Sequence, residues 1–282
     1  MLFDEKPKLK FLKPEPVRVK RSFHFSRRLK AGIVGVLLLV GIVFCISSCS
    51  KGIGGHNLPD FTSYSDVTAK KEAFFSFLYP LIVENNKEIL EIRNDVLEIQ
   101  ADFARKGELS SSEKKFLRKI GERYEFEDLD VLDERFITYL LKRVDVVPPS
   151  LAMAQAAYES GWGTSRFARK GNNLYGIWCY TPGCGLVPSR RNPGDKHEVT
   201  RYDSVEKCIS AYMFTLNTSK SYFAARAIRA DYRNNGNEPS GIAMAQGLEN
   251  YSGIGWDYVL EIQDVIRVND LSKYDDMWLS EI

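Results

Sequence analysis

A single glutamate, Glu159, closes the alanine-rich part of the stretch MAQAAYESGWGTSRFARKGNNLYGIW, Met153 to Trp178. The segment SLAMAQAAYES predicts a helix, because the preceding VPPS stops one helix and places proline where the next can begin. Glu159 then falls in the last turn, against the negative end of the helix dipole, among alanines and Trp162 that would strip it of water. Both influences favour the protonated carboxyl. A carboxylic acid that keeps its proton near neutral pH can give it to a leaving-group oxygen, which makes Glu159 a candidate general acid. Gly161 and Gly163 allow a tight helix exit and close approach by a ligand. Trp162, Tyr175, Trp178 and Tyr180 offer flat faces for sugar rings. The same residues would also suit a glycine-capped helix end and an aromatic core.

A second carboxylate could come from Asp195, Glu198 or Asp203, which follow in KHEVTRYDS and its approach. Two-carboxylate glycosidases place such a group across the scissile bond from the acid. Cys179 and Cys184 bracket a Pro-Gly turn in CYTPGC and suit a short disulfide in an oxidising compartment. The rival reading, a metal half-site, lacks a second Cys or His pair at finger spacing, so no metal is expected. Cys208 lies on the apolar stripe Val205, Cys208, Ile209, Tyr212, Met213, Leu216 and reads as a buried thiol.

The elements that must position these residues are mostly helical. Phe74, Phe75, Phe77, Leu78, Leu81 and Ile82, then Ile89, Ile92, Val96 and Ile99, recur at helical spacing between Val67 and about Lys106, as two helices or one bent at Pro80. Ser110 to Ser112 precede a charged amphipathic run and mark a helix start, and DERFITYLLKRV gives another helix. Beyond Glu159, NNLYGIWCY and KHEVTRYDS carry β-branched and aromatic residues around turn signals, which predicts a lobe of two or three short strands. SVEKCISAYMFTLNTS, SYFAARAIRADYRN, SGIAMAQGLEN and WDYVLEIQDVIRV then read as four helices. The expected class is α+β, mainly α. Residues 67–146 form a helical region, 147–270 the catalytic domain and 271–282 a C-terminal tail.

The chain has 282 residues, 44% of them apolar and 12% aromatic, which excludes wholesale disorder. Its formal charge of +2 conceals an asymmetry, since residues 1–30 hold ten Lys or Arg against three acids and the remainder is net acidic. No basic patch with interleaved aromatics occurs in the part that can fold, so nucleic acid is not an expected partner. Residues 1–30, interrupted by Pro7, Pro14 and Pro16, read as a basic cytoplasmic tail. Ala31 to Cys49, AGIVGVLLLVGIVFCISSC, carries no charge and approaches the ~20 residues that cross a bilayer as a helix. The basic residues before it place the N-terminus inside and everything after Cys49, beginning with a linker over 50–66, outside. ISSC also resembles a lipobox, which would instead make Cys49 a lipid attachment site.

The signature from Met153 to Trp178 resembles that of bacterial glucosaminidase domains of glycoside hydrolase family 73, and of Bax-type proteins in particular. LPDFTSYSDVTAKKEAFFSFLYPLIVENNKEI, the cysteine pair and SAYMFTLNTSKSYFAARAIR extend the resemblance over roughly Leu58 to Val268. It implies a lysozyme-like helical domain with a small β lobe, acting on the β-1,4-linked aminosugar backbone of peptidoglycan, with Glu159 as the acid and no cofactor. It also implies a bacterial inner-membrane protein with a periplasmic catalytic domain, or a lipoprotein anchored at Cys49. A monomer is expected. The family's late tyrosine element is similar to NYSGIGWDYVLEI, which makes Tyr251 the active-site tyrosine and Tyr258 structural, although the spacing departs from the commoner YATDPNYA. Glu198 lies where relatives carry an acidic residue in the β lobe and is the preferred second carboxylate; the substrate's own 2-acetamido group is the alternative. Asn173, with the aromatics named above, completes the expected substrate-binding set.

Two other functions fit the same residues. A lytic transglycosylase would share the fold and the glutamate and form an anhydro product, but NNLYGIW stands where that family usually carries GLMQ. A module that binds peptidoglycan without cutting it is the third reading.

Overall fold

The computed structural model describes residues 55–189, 191 and 194–280. Ala31 to Cys49, read as a membrane segment, lies outside the described residues; among those residues no helix is long and apolar enough to cross a membrane. Helix α1, Val67–Lys106, runs unbroken through Pro80 for 40 residues, roughly 60 Å at the α-helical rise. Asp66 caps its start by accepting from the Ala69 N–H, and Gly107, in the left-handed region at φ 77°, ends it. The N-terminal half of α1 supplies Phe74, Phe75, Leu78 and Ile82 to the main core. Its C-terminal half supplies Val96 to a second core with α2, Ser111–Arg123, and α3, Glu134–Arg143. Ser110 and Glu113 form a capping box at the head of α2.

The alanine-rich segment is α4, Pro149–Ser160, with proline at its first position. Every residue from Pro149 to Ala157 is buried. Small side chains are what allow α1, α8 (Gly241–Ala245), α9 (Trp256–Val268) and α10 (Ser272–Leu279) to close around one helix. The buried amide of Asn86 on α1 fixes the approach to α4, donating to the Val147 carbonyl at 2.8 Å and accepting from the Val147 N–H at 3.0 Å. At the far end Gly161, Trp162 and Gly163 all take positive φ. A Cβ on Gly163 would sit 2.6 Å from the Phe61 ring, so the exit turn has no room for a larger residue.

Helix α5, Arg166–Gly171, leads into a three-stranded antiparallel sheet of β1 (Trp178–Cys179), β2 (Gly185–Leu186) and β3 (Glu198–Thr200), in the order β1-β3-β2. Helices α6, Val205–Thr218, and α7, Phe223–Asn234, follow. Cys208 is fully buried, as its place on the stripe required, and burial pushes its thiol up to about 12.

Two expected boundaries move. Within 271–282, expected as a tail, Ser272–Leu279 form α10, whose Trp278 is buried against Val83 and Val146. The linker over 50–66 is packed where it is described: Phe61 enters the main core and the His56 ring pairs with Glu206. Among the described residues, the mainly helical α+β class stands.

Candidate active site

Glu159, in the last turn of α4, is half-buried and lines a cleft of about 790 Å³. The opposite walls are the Asn173–Tyr180 segment, β3, α6 and the loop before α9. Burial raises the Glu159 carboxyl above the ordinary 4.5, and a hydrogen bond from Tyr258 works in the opposite direction. Burial first, and the charge of the Glu159 carboxylate in addition, raise the hydroxyls of Tyr158, Tyr212, Tyr222, Tyr251 and Tyr258. Among the described residues no second carboxylate lines the cleft.

Gln155 stands one turn before Glu159 and is completely buried. Its Nε2 donates to the Tyr258 hydroxyl at 2.8 Å, and its Oε1 accepts from the Tyr212 hydroxyl at 2.6 Å. Tyr251 stacks on Tyr258, centroids 5.4 Å apart, and donates to the Tyr175 carbonyl at 2.8 Å. The chain passes the carboxylate at Gly176, φ 66°, where a Cβ would lie 3.3 Å from Glu159 Oε2. Backbone thus occupies the space that a side chain would close.

The residues expected to hold a glycan separate into three groups. Trp178 and Tyr180 line the cleft and remain exposed, at 53% and 67% of their surface; Trp178 lies flat on the His197 ring. Tyr175 and Asn173 line it but are buried. Tyr175 stacks on Tyr212 with centroids 3.8 Å apart. Both amide hydrogens of Asn173 go to the carbonyls of Ile177 and Thr200, and its oxygen accepts from the N–H groups of Tyr175 and Ile177, so it braces the segment rather than offering a hand to a ligand. Trp162 is not among the residues lining the cleft. It packs edge-on against Phe74 and Phe75, with the Lys71 ammonium over its ring, because the positive-φ exit turn delivers it to α1.

Glu198 is also absent from the cleft lining. Its side chain is buried in the β lobe and its two oxygens accept from the N–H groups of Gly183 and Gly185 at 3.0 and 2.8 Å, bonds that hold its carboxyl below the ordinary 4.5. The adjacent Cys179 and Cys184 are joined as a disulfide. Although Glu198 and the two sulfurs cluster within 4.8 Å, the bonded sulfurs are not thiolates and offer no ordinary metal ligands.

Of the two tyrosines named from the sequence, Tyr251 lines the cleft, and Tyr258, expected to be structural, is the one whose hydrogen bond works to lower the Glu159 carboxyl. Gln155, Tyr212, Tyr222 and Gly176 were not among the expected site residues. The signal for Gln155 was present: one amide in a buried apolar helix, four residues before the acid and therefore on its face. Tyr212 gave none, since a tyrosine on the apolar stripe of α6 reads as core.

The glucosaminidase family described as Mannosyl-glycoprotein endo-beta-N-acetylglucosaminidase matches residues 136–271. The chain is also similar to protein bax of Escherichia coli (strain K12), with 34% identity over 202 residues, 72% of this chain and 70% of that protein. No solved structure matches.

Proposed function

The chain belongs to the Bax-type proteins that carry a glucosaminidase domain, and on that premise we propose that it is a peptidoglycan hydrolase cutting the β-1,4 bond after N-acetylglucosamine, with Glu159 as general acid. The observation that carries the reading is a half-buried Glu159, the one carboxylate among the described residues lining a cleft that also presents the flat faces of Trp178 and Tyr180. Protonated Glu159 gives its proton to the glycosidic oxygen as the bond breaks and positive charge builds at the anomeric carbon. The aromatics fix the sugar plane, and Tyr258 orients the carboxyl that remains. Because no second carboxylate lines the cleft among the described residues, the charge at the anomeric carbon is met by the substrate's own 2-acetamido group, a route open to some glycosidases. Water then completes the cleavage. A lysozyme-like arrangement, an anchor through Ala31–Cys49, an outward-facing catalytic unit and a monomeric state are parts of the same proposal.

The lone carboxylate also favours a second reading, a lytic transglycosylase, in which one acid suffices and an anhydro sugar replaces the water step. Incubating the full chain with purified peptidoglycan, reducing the products with borohydride and weighing them by mass spectrometry separates the readings. Reduced N-acetylglucosamine ends support the glucosaminidase, reduced N-acetylmuramic acid ends a lysozyme-type cut, and anhydro ends the transglycosylase. Intact glycan from a folded protein would sink all three and leave the binding module.

A further inference from the structure

We infer that Gln155 is a positioning residue of this site, and that its amide sets the direction of a hydrogen-bond chain from Tyr212 through Gln155 and Tyr258 to Glu159. The inference rests on the proposed role of Glu159, but its geometry does not. The Gln155 amide is fully buried, so neither of its ends can turn to water. Tyr212 makes one side-chain hydrogen bond among the described residues, donating to Gln155 Oε1 at 2.6 Å. Were the amide reversed, Tyr212 would have to accept from Nε2, and its own hydrogen would be stranded in the core. Tyr212 therefore holds the amide with its nitrogen toward Tyr258. An amide nitrogen only donates, which obliges the Tyr258 oxygen to accept at 2.8 Å and leaves its single hydrogen for Glu159.

The consequence is a site built in favour of the ionised carboxylate from one side while burial favours the protonated acid from all others. In the reversed arrangement Tyr258 would present only lone pairs to Glu159, which matches a protonated carboxyl alone. The orientation in which Tyr212 holds the amide thus decides which protonation state of Glu159 Tyr258 favours. The other titratable groups around Glu159 are Tyr158 on its own helix, Tyr222 and Tyr251, and none of them hydrogen-bonds to the amide of Gln155.

The test is the titration of the Glu159 carboxyl, followed by 13C NMR in the full chain with labelled glutamate, the signal being identified by its loss in Glu159→Gln. Tyr212→Phe keeps the ring that stacks on Tyr175 and removes only the oxygen. It frees the amide to reverse and should raise the Glu159 pKa by about half a unit or more, in the same direction as Tyr258→Phe. Gln155→Met keeps the volume and removes the amide oxygen that would compete for the Tyr258 hydrogen, so added to Tyr212→Phe it should bring the titration back toward the wild-type value. An unchanged titration in folded Tyr212→Phe, or a rise that persists when Gln155→Met is added to it, beside a raised one in Tyr258→Phe, would overturn the inference and leave Tyr258 acting alone. A shifted titration in a protein that cuts no glycan would uphold the chain and refute the proposed activity instead.

Discussion

Asp275, near the end of the chain, accepts both the backbone N–H and the hydroxyl hydrogen of Ser150, at 2.8 and 2.6 Å. Helix α4 begins with Pro148 as its cap residue and receives no side-chain bond from it. The final helix therefore does the capping from a distance, and the element read as a tail holds the first turn of the helix that ends in Glu159.

That contact makes stability depend on pH. Burial outweighs the donated hydrogen bonds and lifts the Asp275 carboxyl from the ordinary 3.8 to about 6. A carboxyl with a raised pKa in the fold contributes stability that is complete below its unfolded value and is lost as pH rises through the folded one. The melting temperature should fall between pH 4 and pH 7, by an Asp275 contribution of at most about 3 kcal/mol for a shift of roughly two units. Asp275→Asn should flatten that window in thermal denaturation. An equal slope in wild type and variant would show that another group controls it.

Glu159→Gln should reduce turnover of peptidoglycan by about 100-fold or more, the usual range for loss of a positioned acid, while sedimentation with the insoluble wall is unchanged. In the wild type the basic limb of kcat/KM should lie above the ordinary carboxylate range, because burial raises the group whose protonated form is needed. A basic limb at or below pH 4.5 would contradict a buried acid at this position.

Gly176→Ala places a methyl 3.3 Å from Glu159 Oε2 on a backbone at φ 66°. The left-handed region costs a residue with a Cβ roughly 1–2 kcal/mol. The variant should lose more activity than that stability loss explains, since the methyl narrows the space beside the acid. Activity retained alongside a lowered melting temperature would reduce Gly176 to a turn residue.

Glu198→Gln should keep kcat within about tenfold, because the carboxylate bonds the backbone of the β lobe and is not among the residues at the cleft. The expected damage is to the lobe, read as faster proteolytic nicking between Cys179 and Glu198. Its lowered pKa means that these bonds hold above the ordinary carboxylate range and fail as pH falls through the folded value. A fall in kcat as deep as that of Glu159→Gln, with the lobe intact, would restore Glu198 to the chemistry.

The helices were legible in the sequence because long apolar periodicity and caps are local properties: the helical spacing of α1, the serine start of α2 and the proline start of α4 could all be read from spacing. Glu159 was legible for the same reason, as its burial follows from the helix that carries it. The partners of Glu159 were not. Whether Tyr251 or Tyr258 bears on the acid depends on how α9 and the loop before it dock, which no local spacing decides. Trp162 was misplaced because the expected exit turn was taken to aim its ring at a ligand, whereas the observed turn aims it at α1. The helix Ser272–Leu279 was hidden because its reason to fold is a contact more than one hundred residues away in sequence.

The length of α1 bears on where this enzyme can be cut. The family match begins at residue 136, yet Phe74, Phe75, Leu78 and Ile82 come from before it and pack in the same core as α4, next to the capping helix. A polypeptide trimmed to the matched region would expose that greasy core and the underside of Trp162, and would be expected to clump rather than work. The heritable unit that must travel together in any domain shuffling is therefore the helix pair α1 and α4, not the signature alone.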